Sequence, residues 1–414
     1  MIITNKKKIV NDPVHGFISI NYPLIFDLIE HPYFQRLRNI KQLGLTYLVY
    51  PGATHSRLQH ALGAMYLLDM AIDTLKSKGL QISDEEAEAA CAAILLHDIG
   101  HGPFSHALEY SIAKGVSHET ISRCFMEQLN SEMSGRLQLA IDIFDDKHPK
   151  RFLHQLISGQ LDMDRMDYIK RDSFFSGVTE GAIGSDRIIK MLNVVNDDLV
   201  VEAKGIYSIE KFLIARRLMY WQVYLHKTVV AAEQTLIKML KRAKELTKSN
   251  VEVCASPSLM YFLKNDVTND KFSPLINNTE ALNNFSRLDD ADIMVAGKLW
   301  MNHADPVLSK LAQMITNRKL LSVTLKNTPF DPTLINQLTQ KFGVTMPTLA
   351  EHVDYFVFSD SVSIKAYEPG NESINILYNN GQLADIAEAS DMLNAKALSN
   401  EVKKYFACYP KELR

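Results

Sequence analysis

The sequence predicts a mainly α-helical protein that ends in a smaller mixed α+β part. Three observations carry this. Between residues 23 and 250, apolar side chains recur at helical spacing in long runs bounded by capping and breaking residues. After about residue 250, turn signals such as Ser256-Pro257, Asn277-Asn278 and Asn327-Thr328-Pro329 punctuate the chain, and short β-branched and aromatic stretches appear. The composition, 46% hydrophobic with only 18 Gly and 14 Pro in 414 residues, leaves ample material for a core and excludes a disordered or collagen-like chain. Such a length argues for two to three packed units.

Taken in order, Asn11-Asp12-Pro13 and His15-Gly16 mark an extended or looped start, followed by a helix around Leu24 to Glu30. His31 stands before a proline and so leaves the α region, ending that helix, and Pro32 opens the next one, Tyr33 to Leu43. After the Pro51-Gly52 turn, Leu58, Leu62, Met65, Leu68 and Ile72 predict one long helix from Ser56 to Lys76. Ser83, followed by Asp84, Glu85 and Glu86, is a capping signal for a helix that runs through the apolar Ala90–Leu96 stretch and dies at Gly100-His101-Gly102-Pro103. Further helices are expected at 118–130, 136–145, 150–158, 161–172 and 184–194, with a long one near 208–248. In the C-terminal part, Val353–Phe358 and Ser373–Tyr378 read as strands. No internal repeat or low-complexity tract interrupts the chain.

The formal net charge of -3 argues against a bulk polycation that coats nucleic acid, while leaving local basic pockets open. Cys91, Cys124, Cys254 and Cys408 are far apart and form no CxxC pair, so neither a disulfide framework nor a zinc knuckle is expected. The N-terminus lacks the apolar region of a secretory signal, and the run Ala89–Leu96 is far shorter than the roughly 20 residues of a membrane span. A soluble, cytoplasmic protein is the expectation.

Chemistry concentrates in one window. Six of the thirteen histidines, at 55, 60, 97, 101, 106 and 118, fall within 64 residues, where about two would be expected from an even spread. His97-Asp98 ends an otherwise apolar helix. Burying an imidazole beside a carboxylate costs several kcal/mol unless they are paired or bound to metal, although a hydrogen-bonded core pair would also serve. In LDMDRMDYIKRD, Asp164, Tyr168 and Asp172 are spaced i, i+4, i+8 and line one helix face: a hard oxygen ligand, a ring able to stack on a sugar, and a second carboxylate. Arg165, Lys170 and Arg171 point elsewhere and could neutralise phosphate; a solvated charge-laced helix is the plainer alternative. His60 shares a helix row with Gly63/Ala64 and Leu67, small enough for a second helix to approach and place a metal between the two, and Arg57 one turn earlier could reach a phosphate. Together His60, His97, Asp98 and Asp164 form a two-His, two-carboxylate set drawn from three helices. Mixed N/O donors suit one divalent ion (Mn, Mg, Fe, Ni, Co or Zn) and leave coordination positions open for water and substrate.

The order H…HD…D resembles the HD-domain metal-dependent phosphohydrolases. FQRLRNIKQLG (34–44), YPGATHSRLQHALGA (50–64), LLHDIGHGPFSHALE (95–109) and LDMDRMDYIKRD (161–172) resemble specifically the deoxynucleoside triphosphate triphosphohydrolases, the group of bacterial dGTPase-like and vertebrate SAM-and-HD-domain enzymes. NDPVHG (11–16) and ARRLMYWQVYLHK (215–227) extend the match to roughly residues 8 to 230. The resemblance implies an HD-domain helical core whose metal ligands are His60, His97, Asp98 and Asp164. It makes His118 the catalytic acid, with His101 beside the reacting phosphate and Glu109 in place of an orienting aspartate. Arg57, His106 and Arg216 match phosphate contacts. Gln42 and Leu43 match the part that checks the sugar, with Tyr168 stacking on it to exclude a 2′-hydroxyl and Asp172 bonding the 3′-hydroxyl. Glu30, with Gln35 and Arg38 beyond it, stands where nucleotide-activated members carry an aspartate, and Tyr220 and Gln222 stand where they carry basic or His residues near a second nucleotide. A nucleotide effector, another effector and constitutive activity are therefore all open.

The implied organisation is an N-terminal segment packing on the core (1–45), the HD catalytic core (46–175), a helical completion of the active site (176–250) and a C-terminal α+β region (251–414). The implied activity is hydrolysis of a deoxynucleoside triphosphate to deoxynucleoside and triphosphate. The alternatives are phosphohydrolysis of another nucleotide, or a nucleotide- or nucleic-acid-binding regulator with a vestigial site. Relatives of this family pack as dimers and tetramers, and Met219-Tyr220-Trp221 cannot all face one core on a helix, so a homo-oligomer is expected unless the C-terminal part covers the surplus ring.

Overall fold

The structure, a computed structural model, describes residues 8–104, 115–268, 272, 279–364, 367, 373–391 and 401–414. His106 and Glu109 lie outside the described residues. The chain begins with an antiparallel hairpin, β1 (Lys8–Asp12) and β2 (Gly16–Ile20), followed by α1 (Pro23–Glu30) and α2 (Pro32–Gln35). The helix expected over Tyr33–Leu43 stops early, passing into a 3-10 turn at Arg36–Asn39. It stops because the next backbone pairs elsewhere: Gln42 N–H donates to His55 O and Arg57 N–H to Ile40 O, at 3.0 and 2.9 Å. A second 3-10 turn covers Gly44–Leu48.

The helical centre follows as α3 (Arg57–Ser77), α4 (Asp84–Leu96), α5 (His118–Glu132), α6 (Gln138–Phe144), α7 (Arg151–Gln155), α8 (Met163–Ser176) and α9 (Ser185–Met191). Ser83 Oγ accepts from Glu86 N–H at 3.1 Å while the Glu86 carboxylate accepts from Ser83 N–H at 2.8 Å, the reciprocal cap that the sequence signals for α4. Ala89 to Leu96 are all buried, so the last two turns of α4 are apolar all round, and the helix packs against α1, α3 and α6.

Two departures from the expected helices matter. The helix expected at 184–194 ends at Met191 and is followed by a hairpin, β3 (Leu192–Val195) and β4 (Asp198–Glu202). Its two-residue turn, Asn196-Asp197, has both residues at positive φ, 52° and 61°, which these short polar side chains tolerate. The long helix expected near 208–248 is two, α10 (Ile206–Met219) and α11 (Lys227–Lys248), joined through a π-helical turn at Tyr220–Tyr224. Met219 is buried, Tyr220 faces the cavity described below, and the Trp221 ring lies 4.0 Å beneath the Lys404 ammonium. The C-terminal part of the same chain thus supplies a cover for Trp221.

Beyond α11 come α12 (Pro257–Lys264), α13 (Thr279–Phe285), α14 (Asp290–Trp300), α15 (Pro306–Thr316), α16 (Pro332–Thr345) and the short α17 (Ile386–Ala389). Five strands accompany them: β5 (Ser322–Lys326), β6 (Phe358–Ile364), β7 (Asn375–Leu377), β8 (Leu383–Asp385) and β9 (Val402–Tyr409). The region is mixed α+β, as expected, and Ser373–Tyr378 does contain a strand. Val353–Tyr355 is instead the end of a 3-10 helix, Pro347–Tyr355, opened by its proline; the strand begins at Phe358. β5-β9-β6 form one antiparallel sheet, while β7 pairs in parallel with β4 in the order β3-β4-β7-β8, so late chain closes the sheet begun at residue 192. One continuous apolar cluster runs from Ile18 to Leu413. Among the described residues, no helix is long and apolar enough to cross a membrane.

Candidate active site

Three helices converge where the sequence places its histidines and acids. α3 brings Arg57 and His60, the end of α4 brings His97 and Asp98, and α8 brings Asp164. Close approach of α3 and α8 depends on Gly63, because a Cβ there would stand 2.1 Å from Asp167 Oδ1 and 2.2 Å from Arg171 Nη2. Gly100 has a similar role after Asp98: its Cβ would meet His118 O at 2.2 Å and Ser122 N at 2.3 Å. Gly100 therefore lets the start of α5, and with it His118, approach the His-Asp pair. Arg36, buried between the Phe125 and Phe285 rings, donates to Ile99 O at 2.6 Å and to His101 O at 2.9 Å, fixing the same turn.

Each metal-candidate histidine has one nitrogen tied and one aimed inward. His60 Nδ1 lies 2.8 Å from Asp167 Oδ2, and His97 Nδ1 donates to Ile94 O at 2.6 Å. Their Nε2 atoms are buried and make no hydrogen bond. They lie 3.0 and 3.4 Å from Asp164 Oδ1, near enough for both to share one partner with it but not aligned for hydrogen bonding. Asp98 completes the group, with Oδ2 3.8 Å from His60 Nε2 and Oδ1 3.4 Å from His97 Nε2. The two orphaned imidazole nitrogens and an Asp164 oxygen lie within 4.8 Å of one another, a set that could hold a divalent cation, and Asp98 at its edge groups in the same way with His101 and His118. Asp98 also accepts from Arg57 Nη1 at 2.5 Å and lies 3.1 Å from His101 Nε2, and His101 stacks on His118 with ring centroids 3.9 Å apart.

The electrostatics follow from that crowding. Burial alone would lower the His60 pKa, but the Asp164 and Asp167 carboxylates on either side of its ring raise it to about 10. Burial likewise opposes charge on His97, yet the Asp98 and Asp164 carboxylates bring it up to about 9. His101 goes the other way, down to about 3, through burial and the neighbouring Arg57 guanidinium. Asp98 is held well below the usual carboxylate range against its burial, by His101, His97 and Arg57.

Over this floor opens a cavity of about 490 Å³, lined by Gln42, Leu43, Arg57, Asp98, His101, His118, Asp164, Tyr168, Asp172 and Arg216, ten of the residues picked out from sequence. His60 and His97 lie beneath it. Asp164, Tyr168 and Asp172 do share one face of α8. Asp172 is buried, with one oxygen 2.7 Å from His55 Nε2 and the other accepting from Tyr224 OH at 2.7 Å. The cavity also takes in Thr46, Phe104, Tyr220, Tyr224 and Glu233, none of which the sequence reading put at the substrate. Tyr220, expected near a second nucleotide, lines this cavity instead.

Of the three basic residues thought free for phosphate, only Arg165 reaches the cavity, paired with Asp162. Lys170 Nζ turns to Ser185 Oγ at 3.5 Å, and Arg171 is wholly buried between Asp12 and Asp167. A charged residue in a helix reads as solvated unless its partner is known, and these partners are remote in sequence. Asp12, His15, His55, Asp167 and Arg171 were missed as supports of the site for that reason.

The sequence also resembles known proteins. Residues 57–172 match the HD domain, and residues 183–269 the HD associated region. A phosphohydrolase of known crystal structure from Bacteroides thetaiotaomicron is 56% identical, with a TM-score of 0.93, covering 98% of this chain and 100% of that one. The uncharacterized protein YwfO of Bacillus subtilis is 31% identical over 99% of this chain and 93% of its own length. The deoxynucleoside triphosphate triphosphohydrolase SAMHD1 homolog of Dictyostelium discoideum is 30% identical over 58% of this chain, and the match spans 50% of that protein. Likeness that runs the whole length of the chain, beyond the residues around the cavity, makes it a member of the HD-domain phosphohydrolase family.

Proposed function

We propose that the protein hydrolyses deoxynucleoside triphosphates at the α-phosphorus, breaking the bond to O5′ and releasing deoxynucleoside and inorganic triphosphate. The observation that carries this reading is the pair of buried, unbonded Nε2 atoms of His60 and His97 beside Asp164, under a cavity whose wall holds arginines on one hand and Tyr168 with Asp172 on the other. His60, His97, Asp98 and Asp164 would hold the cation. One divalent ion there (Mn, Mg, Fe, Ni, Co or Zn) would polarise a phosphoryl oxygen and lower the pKa of a water.

The chain's own residues do the rest. Arg57 and Arg216 neutralise phosphate charge, a task for which a fixed guanidinium fork is well shaped. His118 delivers a proton to the leaving O5′, with the His101 ring stacked beside it to hold its plane. Tyr168 lies under the sugar. Asp172, held by His55 and Tyr224, keeps a fixed carboxylate for the 3′-hydroxyl. Gln42 Oε1, buried without a partner on the cavity wall, offers a further acceptor near the sugar. His106 and Glu109 are proposed to add a phosphate contact and to orient His118.

Incubation of the pure protein with each deoxynucleoside triphosphate and Mn²⁺ or Mg²⁺ tests the reading by the appearance of deoxynucleoside and triphosphate. dGTP should be cleaved and GTP poorly; equal rates would remove Tyr168 from sugar selection and point to a broader phosphohydrolase. Membership of the family also supports a homo-oligomer, dimer or tetramer, with or without a nucleotide effector. Light scattering with and without dGTP and GTP tests this, and a monomer's mass throughout would sink it.

A further inference from the structure

His60 is backed by a chain of buried charges that ends in the N-terminal hairpin. Asp167 holds His60 Nδ1 with one oxygen, and its other oxygen lies 2.6 Å from His15 Nε2, in the turn between β1 and β2. Arg171 clamps the same carboxylate, with Nε 2.8 Å from Oδ2 and Nη2 3.0 Å from Oδ1. The guanidinium also donates to both oxygens of Asp12, at 2.7 and 3.2 Å. Asp12 Oδ1 in turn accepts the backbone N–H of Val14 and of His15, both at 2.9 Å. The turn that presents His15 is thus folded around the carboxylate that holds Arg171. None of the four side chains is more than 4% exposed.

The hairpin does not need these ions to dock, since Ile18 and Ile20 already bury one of its faces in the core. Two carboxylates and a guanidinium taken out of water cost several kcal/mol per ion, and apolar residues of the same volume would hold the segment at least as well. What the ions accomplish, and apolar residues could not, is to fix the ring plane and tautomer of His60. With Asp167 accepting from Nδ1–H, Nε2 is the nitrogen left to face the metal position beside Asp164.

We infer that His15 and Asp12 are positioning residues of the metal centre, acting through Asp167 and Arg171 so that the N-terminal hairpin sets the orientation of His60. The inference rests on the reading that His60, His97, Asp98 and Asp164 hold a divalent cation.

Co²⁺ is a suitable probe, because its visible absorption reports ligand geometry. The full chain, freed of metal by chelation, is titrated with Co²⁺. His15→Phe keeps a ring against Tyr66, whose centroid lies 5.5 Å away, and removes only the hydrogen bond to Asp167. It should weaken Co²⁺ binding about 10-fold, the low end of what loss of a metal-bound histidine's own outer partner costs, because Asp167 and Arg171 remain, and shift the absorption band. His15→Gln, which retains an N–H donor, should recover most of both. Asp12→Asn reads the chain from its far end and should lower affinity in the same direction. Phe17→Ser, on the exposed side of the same hairpin, should change neither reading. Wild-type affinity and spectrum in both His15→Phe and Asp12→Asn would overturn the inference while leaving the metal site standing. Equal losses in His15→Phe and His15→Gln without a band shift would overturn it as mere loosening. A wild-type chain that takes up no Co²⁺ would instead remove the metal reading, and the inference with it.

Discussion

The wall behind the side chains proposed to bind metal and the wall that faces the cavity are built from different material. Behind His60 lie Asp167, Arg171, Asp12 and His15, buried and cross-linked by ion pairs, on regular helix and hairpin. In front, Leu43 precedes the 3-10 turn Gly44–Leu48, Tyr220 and Tyr224 stand on the π-helical turn, and His118 is the first residue of α5. Those front residues are part-exposed and rest on irregular or terminal backbone. A ligand set must be held to within about half an ångström, so rigid buried support suits the back wall. Side chains that admit and release a nucleotide need freedom, which π-turns and helix ends supply. Damage behind the metal should therefore cost the metal itself, whereas damage in front should cost turnover or selectivity with the metal in place.

The largest effect is expected from the ligands. Asp164→Ala or His97→Ala removes one of four protein donors, and both should abolish metal retention and hydrolysis together. Full metal occupancy of Asp164→Ala by elemental analysis would show that the donors are wrongly assigned. Next is a residue that touches neither metal nor substrate. Gly63→Ala would drive a Cβ to within 2.1 Å of Asp167 Oδ1, so α3 and α8 must part or the Asp167–Arg171 pair must break. Overpacking of this kind costs about 1–3 kcal/mol. A lower melting temperature accompanied by lost metal is expected, although every ligand is intact; unchanged metal content would detach the back wall from the site.

On the front wall, His118→Ala should bind metal normally yet lose roughly 10²–10⁴-fold in turnover, the range for a missing general acid. The contrast with Gly63→Ala is the point: metal kept and rate lost, against metal lost without touching the chemistry. An unchanged rate would take His118 out of the mechanism.

The same contrast explains what could be read from sequence. α3, α4 and α8 announce themselves through local signals: Ser56 with Gln59, Ser83 with Glu86, and Asp162 accepting from Arg165 N–H at 2.7 Å. The residues that face the cavity from α8 follow from helical spacing alone. The supports of the site do not, because the bond between His15 and Asp167 joins residues 152 positions apart and no local spacing encodes it. Arg171 is the clearest case, a charged residue on a polar helix that is wholly buried. The π-helical part of the front wall was missed for another reason. Tyr220–Tyr224 has helical composition throughout, and only tertiary packing widens it to a π-turn; the hairpin after α9, by contrast, carried a readable Asn-Asp turn between β-branched runs.

The smallest expected effect lies where the front wall joins α11. His226 is the N-cap of that helix, and its Nδ1 accepts from Thr228 N–H at 3.2 Å. Only a neutral imidazole can accept there. Burial, and then the charge of Lys227, lower the His226 pKa, so the folded state favours the unprotonated ring. The sign follows: above the unfolded value near 6.5 the cap is fully present, and it is lost as the pH falls below that value and through the folded one. Because the ring is part-exposed, the loss should be near the low end for a helix cap, about 0.5 kcal/mol. Between pH 7.5 and pH 5 the Thr228 amide should lose protection from hydrogen exchange relative to the intrinsic rate. His226→Asn, a cap that does not titrate, should hold its protection over the same interval. If both lose protection equally, His226 is not what fastens the π-turn to α11, and the looseness of the front wall has another origin.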